Sequence, residues 1–288
     1  MELSPEQVRK FHAQGFLVIP GAMSADQVHT LREATARVLD SAEREADELG
    51  GGVFTTDEHE RCKSVDRWLL ESGDKVRAFY EKDVPATDGT PGIARVCKIG
   101  HALHTDVPEF AALNQGLAPL CKALQYKAPA VAQSMLILKQ PGVGSAVTPH
   151  QDGTFLHTTP QSVLGVWWAL EDATLTNGCL WGVPGSHTAG VSRVFQRTAA
   201  DPERTEMVPP DAPALSTEGA EPLEMAAGDA VLLHSAVVHF SEANTSPTSR
   251  WAYSVHLVET SPDTAWDSNN WLQRPGGFAP LYREGTAE

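Results

Sequence analysis

Ala130-Val131-Ala132-Gln133-Ser134-Met135-Leu136-Ile137-Leu138-Lys139-Gln140 is the stretch at which this chain changes character. Before it, apolar residues recur at helical spacing; after it, short apolar runs are separated by turn residues. Successive side chains of an extended backbone leave on opposite faces. Val131, Gln133, Met135, Ile137 and Lys139 are therefore predicted to share one face of a strand. Further strands are predicted over residues 163–170, 179–183, 223–225, 230–234, 237–242 and 250–259. Asn177-Gly178 reads as a hairpin turn and Ala227-Gly228-Asp229 as a tight turn. Many short strands with few helices between them indicate a mainly β fold, an antiparallel barrel or double-sheet jelly roll with flanking helices. Residues 198–222, rich in Pro, Thr, Ala and acids, read as a long surface insertion.

Upstream, Ser4-Pro5-Glu6-Gln7 and Ser24-Ala25-Asp26-Gln27 both carry the capping-box pattern, a cap serine with glutamine three residues on. The first helix is expected to stop at Gly15, before a buried strand Phe16-Leu17-Val18-Ile19. The second carries Val28, Leu31, Ala34, Val38 and Leu39 near one stripe, and ends at Gly50-Gly51-Gly52. Residues 76–81 look strand-like and 85–92 loop-like. The expectation is a single domain over 1–288: helical support in 1–129 and the main jelly-roll strands in 130–260.

With 288 residues, 41% of them hydrophobic, the chain can bury a large core. A net charge of −15 argues against nucleic-acid or anionic-membrane partners, which require a basic face. No stretch approaches the ~20 apolar residues of a membrane span, and no apolar run follows a basic N-terminus. Cys62, Cys97, Cys121 and Cys179 are irregularly spaced without a Cys-x-x-Cys, so free thiols and a cytoplasmic location are expected.

The chemistry centres on Thr148-Pro149-His150-Gln151-Asp152-Gly153. A histidine and a carboxylate two residues apart on an extended backbone point the same way, and supply two-thirds of a 2-His-1-carboxylate metal site. A second His-x-Asp triplet stands at His104-Thr105-Asp106. There, Asp106-Val107-Pro108-Glu109 precedes a helical rhythm, so Asp106 is read as a helix cap and His150–Asp152 as the metal pair. The second histidine has to come from a strand that folds back. His157, His187, His234, His239 and His256 are the downstream candidates. His239 is preferred because Arg250 follows eleven residues later, beyond the polar stretch 243–249. A hairpin of 239–242 with 250–254 would set Arg250 across from His239, with Ser241 close by. An arginine there suits a carboxylate whose other end binds metal, since its planar fork makes paired bonds and stays charged.

The sequence resembles the phytanoyl-CoA dioxygenase family of iron(II)- and 2-oxoglutarate-dependent oxygenases. The resemblance runs through Gly15-Phe16-Leu17-Val18, Ser72-Gly73-Asp74-Lys75-Val76-Arg77, Lys98-Ile99-Gly100-His101-Ala102-Leu103-His104, Gln133-Ser134-Met135 and Pro149-His150-Gln151-Asp152. It continues in Leu164-Gly165-Val166-Trp167, Asn177-Gly178-Cys179-Leu180-Trp181, Pro184-Gly185-Ser186-His187 and Val238-His239. It implies a double-stranded β-helix, a cupin-like jelly roll. It also implies Fe(II), 2-oxoglutarate and O2, used to hydroxylate or otherwise oxidise a C–H bond of a small-molecule substrate. His150, Asp152 and His239 would bind iron; Arg250 and Ser241 would bind the distal carboxylate of 2-oxoglutarate, and Lys98, Met135 and Trp168 would line its pocket. His187 would support the site from behind its ligands or structure a loop, without binding metal, and Trp181, Phe155 and Gln133 would shape the substrate pocket. Two rival readings share these residues: a cupin-type metalloenzyme without 2-oxoglutarate chemistry, and a catalytically degenerate binding protein.

Overall fold

Both capping boxes form. Ser4 Oγ accepts the Gln7 N–H and Gln7 Oε1 accepts the Ser4 N–H, opening α1 (Pro5–Gln14), which ends at Gly15 with φ 82°. Ser24 and Gln27 make the same pair at the start of α2 (Ala25–Leu49). The computed structural model describes residues 1–49, 52–54, 66–82, 84 and 95–283. Cys62, Gly50-Gly51 and the loop expected over 85–92 lie outside them.

Between and after the two helices run β1 (Phe16–Ile19), β2 (Gly52–Phe54), α3 (Arg67–Leu70), β3 (Val76–Glu81) and β4 (Val96–His101). Three short helices follow, α4 (Leu103–Asp106), α5 (Pro108–Gln115) and α6 (Ala118–Ala123). The strand-rich part is β5 (Pro129–Lys139), β6 (Val147–His150), a one-turn helix α7 (Asp152–Phe155), β7 (Thr158–Thr159), β8 (Leu164–Ala169) and β9 (Leu180–Gly182). After it come β10 (Val194–Arg197), β11 (Thr205–Val208), β12 (Glu221–Leu223), β13 (Ala230–His234), β14 (His239–Ser241), β15 (Arg250–Glu259) and β16 (Ala265–Trp266).

Among the described residues, eight strands form one sheet in the order β1-β13-β8-β15-β5-β4-β3-β2, and four form a second, β12-β9-β14-β6. This is the two-sheet jelly roll that the alternating pattern predicts. The large sheet uses its two faces differently. Leu136, Leu164, Trp168, Leu232 and Tyr253 pack against Leu31, Leu39, Phe110 and Leu120 of the helices. Trp167, Ala169, Val231, Leu233 and Ala252 point the other way and meet Leu180 and Leu223 of the small sheet. The helices thus stiffen one face, and the other is left to enclose a site.

Four expectations are corrected here. Asn177-Gly178 does turn, with Gly178 at φ 87°, but β8 and β9 belong to different sheets and form no hairpin. The stretch 198–222 is not simply an insertion: Thr205–Val208 pairs with Val194–Arg197, and Glu221 opens β12. Val131 does not share a face with Gln133. His256 pairs with Gln133 while Leu257 pairs with Val131, so Ala132 is an extra residue. Such a bulge inverts the alternation and sends Val131 into the helix-side core. Finally, His239 and Arg250 do not form a hairpin, because β14 lies in the small sheet and β15 in the large one.

Candidate active site

His150 ends β6 and is the register partner of His239 on β14, so two adjacent strands bring the imidazoles together with ring centroids 4.2 Å apart. Asp152 opens α7 immediately after β6. Its Oδ1 lies 3.9 Å from His150 Nε2 and 3.6 Å from His239 Nε2. One ligand atom from each of the three lies within 4.8 Å of the others. The ring orientations are fixed from behind. His150 Nδ1 is 2.8 Å from Thr148 O, and His239 Nδ1 is 3.1 Å from Val237 O. A carbonyl only accepts, so both Nδ1 atoms carry a proton and both Nε2 atoms face the gap, the orientation that histidine metal ligands require.

Charge follows the same logic. Burial, then the neighbouring His239, push the His150 imidazolium down to about 3, so the ring is neutral at pH 7. Burial alone would raise the Asp152 carboxyl, but His256 and His239 outweigh it and hold it below the usual carboxylate range. Two imidazole nitrogens and one carboxylate oxygen, converging from one side, match the donor set of a divalent transition metal with open positions opposite.

Two residues between and beside the ligands keep them there. Gln151 is 2% exposed and points away from the metal gap. Its amide donates to Gly190 O and Ala236 O and accepts from the Ser192 N–H, tying three loops behind the site. Gly165 on β8 has no side chain for a reason: a Cβ there would fall 2.7 Å from Asp152 Oδ2.

His150, Asp152 and His239 line a cavity of ≈ 130 Å³ between the two sheets. Lys98, Met135, Ser241 and Arg250 also line it, all four having been singled out in the sequence. Arg250 is 1% exposed, its guanidinium 5.4 Å from the centre of the Trp167 ring. Burial lowers its pKa to about 10, so the cation persists at neutral pH. Its Nε and Nη1 and the buried Ser241 Oγ have no hydrogen-bond partner within the protein. Buried charged donors of this kind are costly unless an anion meets them.

Trp168 is the misplaced residue. It lies on the helix face of β8, fully buried and stacked on Tyr253 with centroids 5.6 Å apart, while Trp167 lines the cavity. Strand alternation makes a one-residue error a change of face. Of the three residues expected to shape the substrate pocket, Phe155 and Gln133 line the cavity. Trp181 instead stacks on Phe240 at an interplanar angle of 9° and is not among the lining residues.

Sequence reasoning missed Trp271, which lines the cavity from the segment after the jelly roll. That segment is pinned by Arg197, which donates to Trp271 O, and by Arg274, which donates to Gly73 O and His104 Nε2. His104 also contacts Ser134 Oγ at 2.8 Å and belongs to this anchor. Asp106 is not the cap expected of it: it ends α4, and Val107 occupies the cap position of α5 without a side-chain bond. His187 does structure a loop, its Nε2 donating to His12 O at the end of α1. No helix among the described residues is long and apolar enough to cross a membrane.

The chain is 40% identical over 285 residues to phytanoyl-CoA dioxygenase 1 of Oryza sativa subsp. japonica, covering 97% of each. It is 41% identical over 290 residues to phytanoyl-CoA dioxygenase domain-containing protein 1 of Mus musculus, covering 97% of this chain and 99% of that one. In fold it resembles EctD from S. alaskensis with bound Fe, at TM-score 0.64 and 20% identity over 98% of this chain and 87% of that one. It also resembles the non-heme alpha ketoglutarate dependent carbocyclase SnoK from nogalamycin biosynthesis, at TM-score 0.61 and 22% identity over 93% and 88%. The family model described as phytanoyl-CoA dioxygenase (PhyH) matches residues 11–252, and the chain belongs to that family.

Proposed function

We propose that this protein is a cytoplasmic Fe(II)- and 2-oxoglutarate-dependent dioxygenase that oxidises a C–H bond of a small molecule. The observation that carries the reading is the coexistence, in one cavity, of the His150–Asp152–His239 donor set and the buried, unpartnered N–H groups of Arg250. A metal triad alone would fit many cupin-type enzymes. A buried arginine facing the same cavity gives a dicarboxylate a second point of attachment, and 2-oxoglutarate is a dicarboxylate whose other end can chelate iron.

In this reading His150, Asp152 and His239 hold the iron, and Arg250 with Ser241 binds the distal carboxylate. Lys98, Met135 and Trp167 form the cosubstrate walls. Iron with 2-oxoglutarate and O2 supplies the oxidant, and succinate and CO2 are the coproducts. The chain's own part is to hold the metal on one face, fix the cosubstrate by its far end, and keep water away. Phe155, Trp271 and Gln133 border the remaining space. Among the described residues, Lys98 and Arg250 are the lysine and arginine side chains that line the cavity, and both are assigned to the cosubstrate. That supports a small substrate, or the reacting end of a larger one, over recognition of a whole acyl-CoA with its phosphates. The reading is tested by incubating protein, Fe(II), 2-oxoglutarate and O2 and measuring succinate, with and without a panel of small metabolites. Succinate formation that rises with one metabolite and disappears in Arg250→Ala supports it; the same succinate yield without protein would sink it.

A further inference from the structure

Asp152 has a second oxygen that the triad does not use, and His256 meets it. His256 Nε2 lies 3.1 Å from Asp152 Oδ2, and both side chains are buried. Behind His256, its register partner Gln133 places Nε2 3.0 Å from His256 Nδ1. An amide N–H donates, so Nδ1 accepts, and the imidazole proton sits on Nε2, aimed at the carboxylate. The other neighbour of His256 in the sheet is Gly165, the residue whose missing Cβ makes room for that same oxygen. The β-bulge that inverts the alternation of β5 falls at this point, between His256 and Leu257. Bulges re-aim side chains beside active sites. Here one strand pair supplies a donor, the neighbouring strand supplies a notch, and Asp152 Oδ2 occupies the space between.

We propose that His256 is a positioning residue that holds Asp152 to one metal-facing oxygen, Oδ1, with Gln133 setting its tautomer. The consequence is chemical. A carboxylate free to bind through both oxygens would take an additional coordination position. A three-ligand face leaves room for a bidentate cosubstrate and O2 only if the aspartate stays monodentate. The donor to Oδ2 also fixes the carboxylate's rotation, the role that partners behind metal ligands generally play. This proposal rests on the metal reading of the preceding section.

The experiment uses Mn(II) as probe, with the free ion followed by its paramagnetic resonance signal as apo-protein is titrated. Wild type, His256→Phe, His256→Gln and Gln133→Leu are compared, with near-ultraviolet circular dichroism reporting the fold of each apo-protein. His256→Phe, which keeps a ring but no donor, is expected to raise the Mn(II) Kd by about 10–100-fold. His256→Gln, which restores an N–H, is expected to recover most of that loss. Gln133→Leu leaves His256 in place and frees its tautomer, and is expected to fall between; it decides the matter if His256→Phe does not fold. Wild-type Kd values in His256→Phe and Gln133→Leu would overturn the proposal while leaving the metal site intact. Equal losses in the Phe and Gln variants would also overturn it, because an N–H restored at that position would then make no difference. Failure of wild type to bind Mn(II) would instead remove the metal reading, and this inference with it.

Discussion

Arg250 and His239 stand eleven residues apart in sequence, belong to opposite sheets of the jelly roll, and face the same cavity. The separation assigns them separate tasks. His239 is held by strands of the small sheet beside His150, and Arg250 by β5 and β8 of the large one. Removing Arg250 is therefore expected to leave His150, Asp152 and His239 in place. Arg250→Ala is expected to raise the KM for 2-oxoglutarate on the order of 10²-fold, the cost of truncating one partner of a buried charge pair at about 3 kcal/mol. Metal affinity should stay near wild type. Arg250→Lys is expected to recover little, since an ammonium cannot reproduce the planar fork. Steady-state kinetics in 2-oxoglutarate, alongside a metal titration, give the two numbers.

Trp167 and Trp168 are adjacent and face opposite ways, one to the cavity and one to the helices. Their alanine variants should separate cleanly. Trp168→Ala empties a fully buried site against Tyr253 and is expected to cost about 3–5 kcal/mol of stability. The folded fraction should keep its cosubstrate affinity. Trp167→Ala is expected to weaken 2-oxoglutarate binding, because the Arg250 guanidinium loses the ring it lies against. Urea denaturation and cosubstrate titration on both variants measure the contrast.

Gly165→Ala adds one methyl group where a Cβ would meet Asp152 Oδ2 at 2.7 Å and Leu233 Cβ at 3.2 Å. The carboxylate has to turn to accommodate it. Metal affinity is expected to drop about 10–100-fold, the range typical of disturbing what supports a ligand. A wild-type metal Kd in Gly165→Ala would mean that Oδ2 does not need the notch.

His104 gives the apo-protein a specific acid sensitivity. Burial, then the nearby Arg274 cation, lower its pKa from 6.5 to about 3. The unfolded chain therefore binds a proton between those values that the folded chain does not. The stabilising contribution is present above pH 6.5 and is lost as pH falls toward 3, with a slope of at most about 1.4 kcal/mol per pH unit. His104→Asn should flatten the pH dependence of the urea midpoint across pH 4–6. An unchanged slope in that variant would assign the acid sensitivity to other groups.

Much of this was readable in the sequence where local rules decide. The capping boxes at Ser4 and Ser24 form as written, and the His150–Asp152 spacing does bring both donors to one gap. The failures fall where neighbours in space are not neighbours in sequence. Nothing local tells that the chain changes sheets between Ser241 and Arg250, so the spacing alone predicts a hairpin. Nothing local marks the bulge at Ala132, which moves Val131 to the other face and aims His256. Trp271 reaches the cavity from beyond the strands, carried by anchors at Arg197 and Arg274 with partners distant in the chain. The identity of the candidate ligands was legible; what holds them was not.

The central claim is that one cavity seats iron and 2-oxoglutarate together on His150, Asp152, His239 and Arg250. Anaerobic addition of Fe(II) and then 2-oxoglutarate to the apo-protein, followed by visible absorption, tests it directly. The expected result is a metal-to-ligand charge-transfer band that saturates with 2-oxoglutarate, vanishes in His239→Ala and Asp152→Ala, and needs far more 2-oxoglutarate in Arg250→Ala. A wild-type protein that binds Fe(II) without developing the band, or a band indifferent to Asp152→Ala, would contradict it.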